Sequence, residues 1–132
     1  MAIETNAKTA AQLVREAKED IENLTPDEVE AELVAGQALI VDIREPDERS
    51  QSGTIRDAVA APRGMLEFYA DPTSPYHRNE FDPGRRIILY CASGGRSALA
   101  VQSLKQLGFA NVAHLDGGLK AWGSGGREVS RA

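Results

Sequence analysis

The stretch Arg85-Arg86-Ile87-Ile88-Leu89-Tyr90-Cys91-Ala92-Ser93-Gly94-Gly95-Arg96-Ser97 decides the fold. Residues 87–90 form a short, continuous apolar run, the pattern of a strand buried on both faces. A glycine-containing turn follows. Residues 97–107 then place Leu99, Val101, Leu104 and Leu107 on a helical face, and Gly108 closes it. A strand, a tight turn and a helix in this order form one half of a parallel crossover unit. The same unit recurs on either side. Upstream, Thr25-Pro26-Asp27-Glu28 reads as a capping box that starts a helix over about 26–35, stopped by Gly36, and Ala38-Leu39-Ile40-Val41 is a second buried run ending at Asp42. Downstream, residues 112–115 make one more short strand, followed by Asp116-Gly117-Gly118 and a terminal helix over about 119–122. The expected fold is therefore α/β, a largely parallel central sheet flanked by helices. Ahead of it, Leu13, Ala17 and Ile21, with Val14 and Leu24 beside them, draw one apolar stripe and predict an extra N-terminal helix packed on the domain. Residues 62–83 are broken by Pro72, Pro75 and Pro83, so only a short helix around Met65, Leu66, Phe68 and Tyr69 is expected within a candidate loop over a site.

A chain of 132 residues is long enough for one ordinary domain and too short for two. Hydrophobic residues at 42% and charged residues at 27% exclude a disordered, collagen-like or coiled-coil chain. No apolar run is long enough to cross a bilayer, and the polar, acid-containing first 20 residues suit neither a secretory nor a transit segment, so a cytoplasmic protein without a membrane partner is expected. A single cysteine excludes an internal disulfide, a CxxC redox pair and a cysteine-rich zinc site. The net charge of −5 argues against a nucleic-acid partner. Its distribution is uneven. Residues 1–50 hold 13 acids and 5 bases, or −8, whereas residues 51–132 hold 7 acids and 10 bases, or +3, so the part around Cys91 suits a small anion.

Ligands of parallel α/β sheets bind beyond the carboxyl ends of the strands, and Cys91 sits at that place. The main-chain N–H groups of Ala92, Ser93, Gly94, Gly95, Arg96 and Ser97 can curl into a nest around its sulfur, with Gly94 and Gly95 permitting positive φ. The dipole of the following helix and the Arg96 guanidinium add positive charge at the same spot. Such surroundings can bring a cysteine from about 8.5 to roughly 3.5–7.5, which makes an exposed sulfur a nucleophile at neutral pH. A buried, inert Cys91 would leave the Gly-Gly-Arg that follows without a purpose.

Cys91-x-x-Gly94-x-Arg96-Ser97 resembles the active-site loop of rhodanese-type sulfurtransferases. Asp42-Ile43-Arg44-Glu45-Pro46-Asp47-Glu48, then Gly53-Thr54-Ile55, is similar to the D-x-R-x-x-x-E and G-H-I segments of that family, and Leu115-x-Gly117-Gly118-x-x-x-Trp122 is similar to its L-x-G-G-x-x-x-W ending. Thr54 replaces the usual histidine and Arg49 a common aromatic, departures that bear on local packing. The resemblance implies a single rhodanese-like domain over 25–127, with residues 1–24 as an accessory segment. It also implies ping-pong transfer of sulfane sulfur from an anionic donor such as thiosulfate, through a Cys91 persulfide, to cyanide, a small thiol or a protein thiol. No metal or organic cofactor is required by that chemistry.

The competing enzymatic reading is a cysteine-dependent phosphatase or arsenate reductase, whose C-x5-R loop is one residue longer than the C-x4-R found here. A non-catalytic binding module of the same fold would ordinarily lack the cysteine. Ser93 and Ser97 are either helix caps or hydrogen-bond donors to the substrate, capping coming first. Arg44 is expected to pair with Glu48 and pin a loop, with substrate binding as a second role. Arg63 is a second candidate anion ligand, with surface solvation as its simpler fate. His77 in the proline-broken loop and His114 in a strand have no companions at metal-ligand spacing.

Overall fold

The computed structural model describes residues 7–130. The first residues of the accessory segment, 1–6, lie outside the described part. In chain order the elements are α1 (Ala10–Glu19), β1 (Glu22–Leu24), α2 (Pro26–Ala35), β2 (Leu39–Asp42), α3 (Pro46–Ser52), β3 (Val59–Ala60), a 3-10 turn (Arg63–Met65), α4 (Leu66–Ala70), β4 (Ile87–Tyr90), α5 (Gly95–Gln106), β5 (Val112–Leu115) and α6 (Gly118–Ser124). The five strands form one parallel sheet in the order β1-β5-β4-β2-β3. No helix among the described residues is long and apolar enough to cross a membrane.

Alternation along the strands divides the core into two layers. On one face Leu39, Val41, Ile87, Leu89, Cys91 and Val112 meet Ala100, Val101 and Leu104 of α5 and Leu66 and Ala70 of α4. On the other Ile40, Ile88, Tyr90, Ala113 and Leu115 meet Val29 of α2 and Leu119 and Trp122 of α6. Because both faces are covered, the strands read as unbroken apolar runs, each fully buried large side chain contributing about 1.5–3 kcal/mol. Capping boxes start α1 at Thr9 and α2 at Thr25. Gly36 ends α2 in the left-handed conformation, as its sequence signals require.

Two strands have no counterpart in the periodicity. The apolar stripe does not continue as helix through Ile21 and Leu24: α1 ends at Glu19, and residues 22–24 pair with β5 as an edge strand. β3 has only two residues. Strands this short carry too little alternation to be read, and pairing with a neighbour's free edge creates them. α1 itself packs on α5, and Val14 Cγ2 comes within 3.8 Å of where a side chain on Gly95 would begin. The accessory helix therefore lies beside the cysteine turn.

Candidate functional site

Cys91 follows β4 directly, and residues 91–97 wrap round its sulfur. Gly94 N–H donates to Sγ at 3.2 Å and Ser97 N–H at 3.4 Å. Gly94 makes this possible with φ of 103°, acting as the N-cap of α5. Sulfur thus faces two convergent main-chain donors at the start of a twelve-residue helix, a geometry suited to negative charge.

The outside of the turn is held by the first turn of α6, which begins at Gly117-Gly118. Leu119 N–H donates to the Cys91 carbonyl at 2.9 Å and Lys120 N–H to the Ala92 carbonyl at 3.0 Å. Two carbonyls are thereby satisfied by α6. Gly118 has φ of 64°, and a Cβ on it would stand 2.6 Å from the carbonyls of Cys91 and Ala92. Gly117-Gly118 is a turn, as its sequence suggests, and also the point where α6 touches the cysteine turn.

The expected exposed sulfur is corrected here. Cys91 is only 1% exposed, because the turn closes round it and the side chain joins the core layer of Ile43, Leu66 and Phe81. Ser93 is exposed and caps nothing, since Gly94 takes the N-cap position without a side-chain bond. Ser97 does not cap either. It lies one turn into α5 with Oγ 3.6 Å from Cys91 Sγ and 2.8 Å from His114 Nδ1.

The charged residues are paired differently from the sequence expectation. Arg96 does not stand free: it grips Glu48 through two bonds of 2.8 Å at the rim. That pair holds Glu48 down to about 2, chiefly through the hydrogen bonds from Arg96, and raises Arg96 further, with the Cys91 sulfur as a lesser neighbour. An Arg44–Glu48 side-chain pair is absent. Arg44 is 1% exposed and instead binds the Asp42 carboxylate at 2.8 and 3.0 Å and the Gly53 carbonyl at 2.6 Å. Tyr90 Oη donates to Asp42 at 2.8 Å and accepts from Ile55 N–H, so this buried network ties the segment after β2 to β4. Burial, then the Asp42 charge, raises Tyr90. Arg63 pairs with Glu67 at 2.8 Å, and Glu67 also accepts from Ser103 of α5 at 2.6 Å. His77 Nδ1 lies 3.0 Å from the Tyr69 carbonyl, and Arg78 stacks on Tyr69 while donating to the Ala60 carbonyl.

His114 is the residue that sequence reasoning undervalued. It is fully buried and reaches Ser97 on one side and Asn23 Oδ1, at 2.7 Å, on the other. Burial lowers it to about 4, opposed by Asp116 and aided by Lys18, so it is neutral near pH 7. The only signal in the sequence was a polar residue inside an apolar strand.

A doubly covered parallel sheet with a cysteine inside a strand-to-helix turn, its sulfur met by two main-chain N–H groups, defines the class: a cysteine-turn α/β domain. The rhodanese-like domain profile matches residues 25–124, and the chain belongs to that family. A sulfurtransferase of Allochromatium vinosum is 36% identical over 91 residues, which cover 69% of this chain and 77% of that protein. Among solved structures, a Rhodopseudomonas palustris protein of unknown function, described as a possible tyrosine phosphatase, superposes with a TM-score of 0.89 at 36% identity, covering 98% of this chain and all of that one. A thiosulfate sulfurtransferase of Pseudomonas aeruginosa gives 0.74 at 32% identity over 91% of this chain, which spans 22% of that enzyme.

Proposed function

We propose that this chain transfers sulfane sulfur from a small anionic donor such as thiosulfate to a thiophilic acceptor, through a persulfide on Cys91. The Cys91 thiolate attacks the outer sulfur of thiosulfate, and the donor's S–S bond breaks with its electron pair leaving on sulfite. Cyanide, a small thiol or a protein thiol as thiolate then attacks the outer persulfide sulfur and returns Cys91 as thiolate. Oxidation states balance without a metal or redox cofactor. The observation that carries the reading is the convergence of Gly94 and Ser97 N–H on one sulfur inside a C-x4-R turn. Fixed donors of this kind hold anionic sulfur without reorganising. Ala92, Ser93, Gly95 and Arg96 complete the turn that receives the donor. Arg96, engaged by Glu48, supports the rim first and offers the anion its remaining N–H groups second.

Thiosulfate adds one sulfur atom to the intact mass, cyanide removes it, and Cys91→Ser shows no gain. A wild-type protein that gains no sulfur, its buried thiol unreached, refutes the proposal. The resemblance to a possible tyrosine phosphatase supports a second reading, in which Cys91 attacks phosphorus. The short turn and the Glu48-bound Arg96 oppose it. Hydrolysis of an aryl phosphate, dependent on Cys91, would favour this reading instead.

A further inference from the structure

Four side chains from four parts of the fold form one hydrogen-bonded line: Asn23 of β1, His114 of β5, Ser97 of α5 and Cys91 after β4. Its first member lies outside the family-matched residues 25–124. The parallel register sets Asn23 opposite His114. The direction of every proton in the line follows from its outer end. Asn23 Nδ2 donates to the Lys18 carbonyl at 2.9 Å and the Ile21 carbonyl at 3.2 Å, so Oδ1 is the atom facing His114 and must accept. His114 therefore carries its proton on Nε2, and Nδ1 is left as an acceptor. Its partner is Ser97 Oγ at 2.8 Å, which must donate. The other acceptor near that hydroxyl, the Gly94 carbonyl at 3.3 Å, already receives Ala98 N–H. Ser97 thus has its one proton committed away from Cys91, and it turns a lone pair toward sulfur.

We infer that Asn23 is a positioning residue for the cysteine turn: by fixing the tautomer of His114 it aims the Ser97 hydroxyl away from Cys91, so that anionic sulfur is held by the Gly94 and Ser97 N–H groups without a hydroxyl donor. The accessory segment thereby tempers the thiol it packs beside. Turning the hydroxyl onto sulfur would strand a buried imidazole nitrogen, an unfavourable exchange while Asn23 is in place. Without Asn23, His114 can carry the proton on Nδ1 and donate to Ser97, which then donates to sulfur. The charged groups around the line are Lys18 of α1 and Asp116 after β5, which pair with each other at 2.6 Å, and Arg96 of α5 with Glu48 of α3 at the rim. None of them is altered by the substitutions below.

The inference rests on Cys91 being the nucleophile, and its test does not require sulfur transfer. Nitrogen NMR of the imidazole gives the His114 tautomer. Thiolate ultraviolet absorbance against pH, with the Cys91→Ser spectrum subtracted, gives the ionisation midpoint without needing a reagent to reach the sulfur. Wild type is expected as the Nε2–H tautomer. Asn23→Ala shifts the ring toward Nδ1–H and lowers the thiolate midpoint by about one pH unit, a tenfold change in thiolate fraction, as a hydrogen bond to a charged group requires. Asn23→Asp, which keeps the acceptor, retains the wild-type tautomer. In a Ser97→Ala background Asn23→Ala leaves the midpoint unchanged, because no hydroxyl remains to turn. A wild-type Nδ1–H tautomer, an unchanged midpoint in Asn23→Ala, or an equal shift with and without Ser97 each overturns the inference. Failure of thiosulfate loading in wild type would remove the proposed function and leave this comparison standing.

Discussion

Replacing Gly118 by alanine puts a methyl carbon 2.6 Å from the Ala92 carbonyl carbon and oxygen and from the Cys91 carbonyl oxygen. These are backbone atoms, so no side-chain rotation relieves the clash, and α6 must back away from the cysteine turn. Two costs follow. Alanine at φ of 64° is in the left-handed region, which costs about 1–2 kcal/mol. Retreat of α6 lengthens the 2.9 and 3.0 Å bonds from Leu119 and Lys120, which contribute about 0.5–1.5 kcal/mol each. The expected loss is about 2–5 kcal/mol in urea unfolding, together with slower sulfur loading, because the carbonyls that orient the turn lose their anchors. Gly36→Ala is the control. It has φ of 85° and open space where its Cβ would stand, so only the backbone cost of about 1–2 kcal/mol applies and loading is unchanged. Losses equal within about 0.5 kcal/mol, with loading intact in both, would refute the idea that α6 braces the turn through this close approach.

Arg44→Met leaves Asp42 charged and buried without its partner, and equilibrium unfolding should show a loss of about 3–5 kcal/mol. Stability should decline in acid through His114. Its folded value of about 4 lies below the ordinary 6.5, so between these values the unfolded chain binds a proton that the folded chain refuses. Unfolding free energy therefore falls as pH drops from about 6.5 to about 4, by on the order of 3 kcal/mol, and a flat profile in urea melts over that window would contradict the burial of a neutral imidazole. Glu48→Gln frees the Arg96 guanidinium at the cost of a half-exposed ion pair, changing stability by no more than about 1 kcal/mol. The thiosulfate concentration for half-maximal sulfur loading should fall in this variant, and a rise would show that the pair, rather than the free cation, serves the donor. Leu104→Ala, in the core layer beneath α5, should cost about 2–5 kcal/mol by the same unfolding assay.

The three short apolar runs, the capping box at Thr25 and Gly36 determined the parallel α/β layout by themselves, because local propensity and burial on both faces write themselves into consecutive residues. The cysteine turn was legible for the same reason: cysteine, glycines and arginine fall within seven positions, and a strand-to-helix junction is a local event. Edge strands β1 and β3 were not, since residues 22–24 and 59–60 become strands only by pairing with β5 and β2. Nor could charge partners be read from spacing. Arg44 and Glu48 lie four apart and look made for each other, yet Asp42 takes Arg44 inside the core and α3 delivers Glu48 to Arg96 across 48 residues. Likewise Asn23 and His114, 91 residues apart, meet only because the sheet sets them in register. Sequence determined which groups this protein carries and the turn that holds its sulfur; the packed sheet decided which groups face one another, because residues far apart in the chain meet only where strand register and helix packing bring them, and at buried Asp42 and Arg44 a charge must take the partner found there.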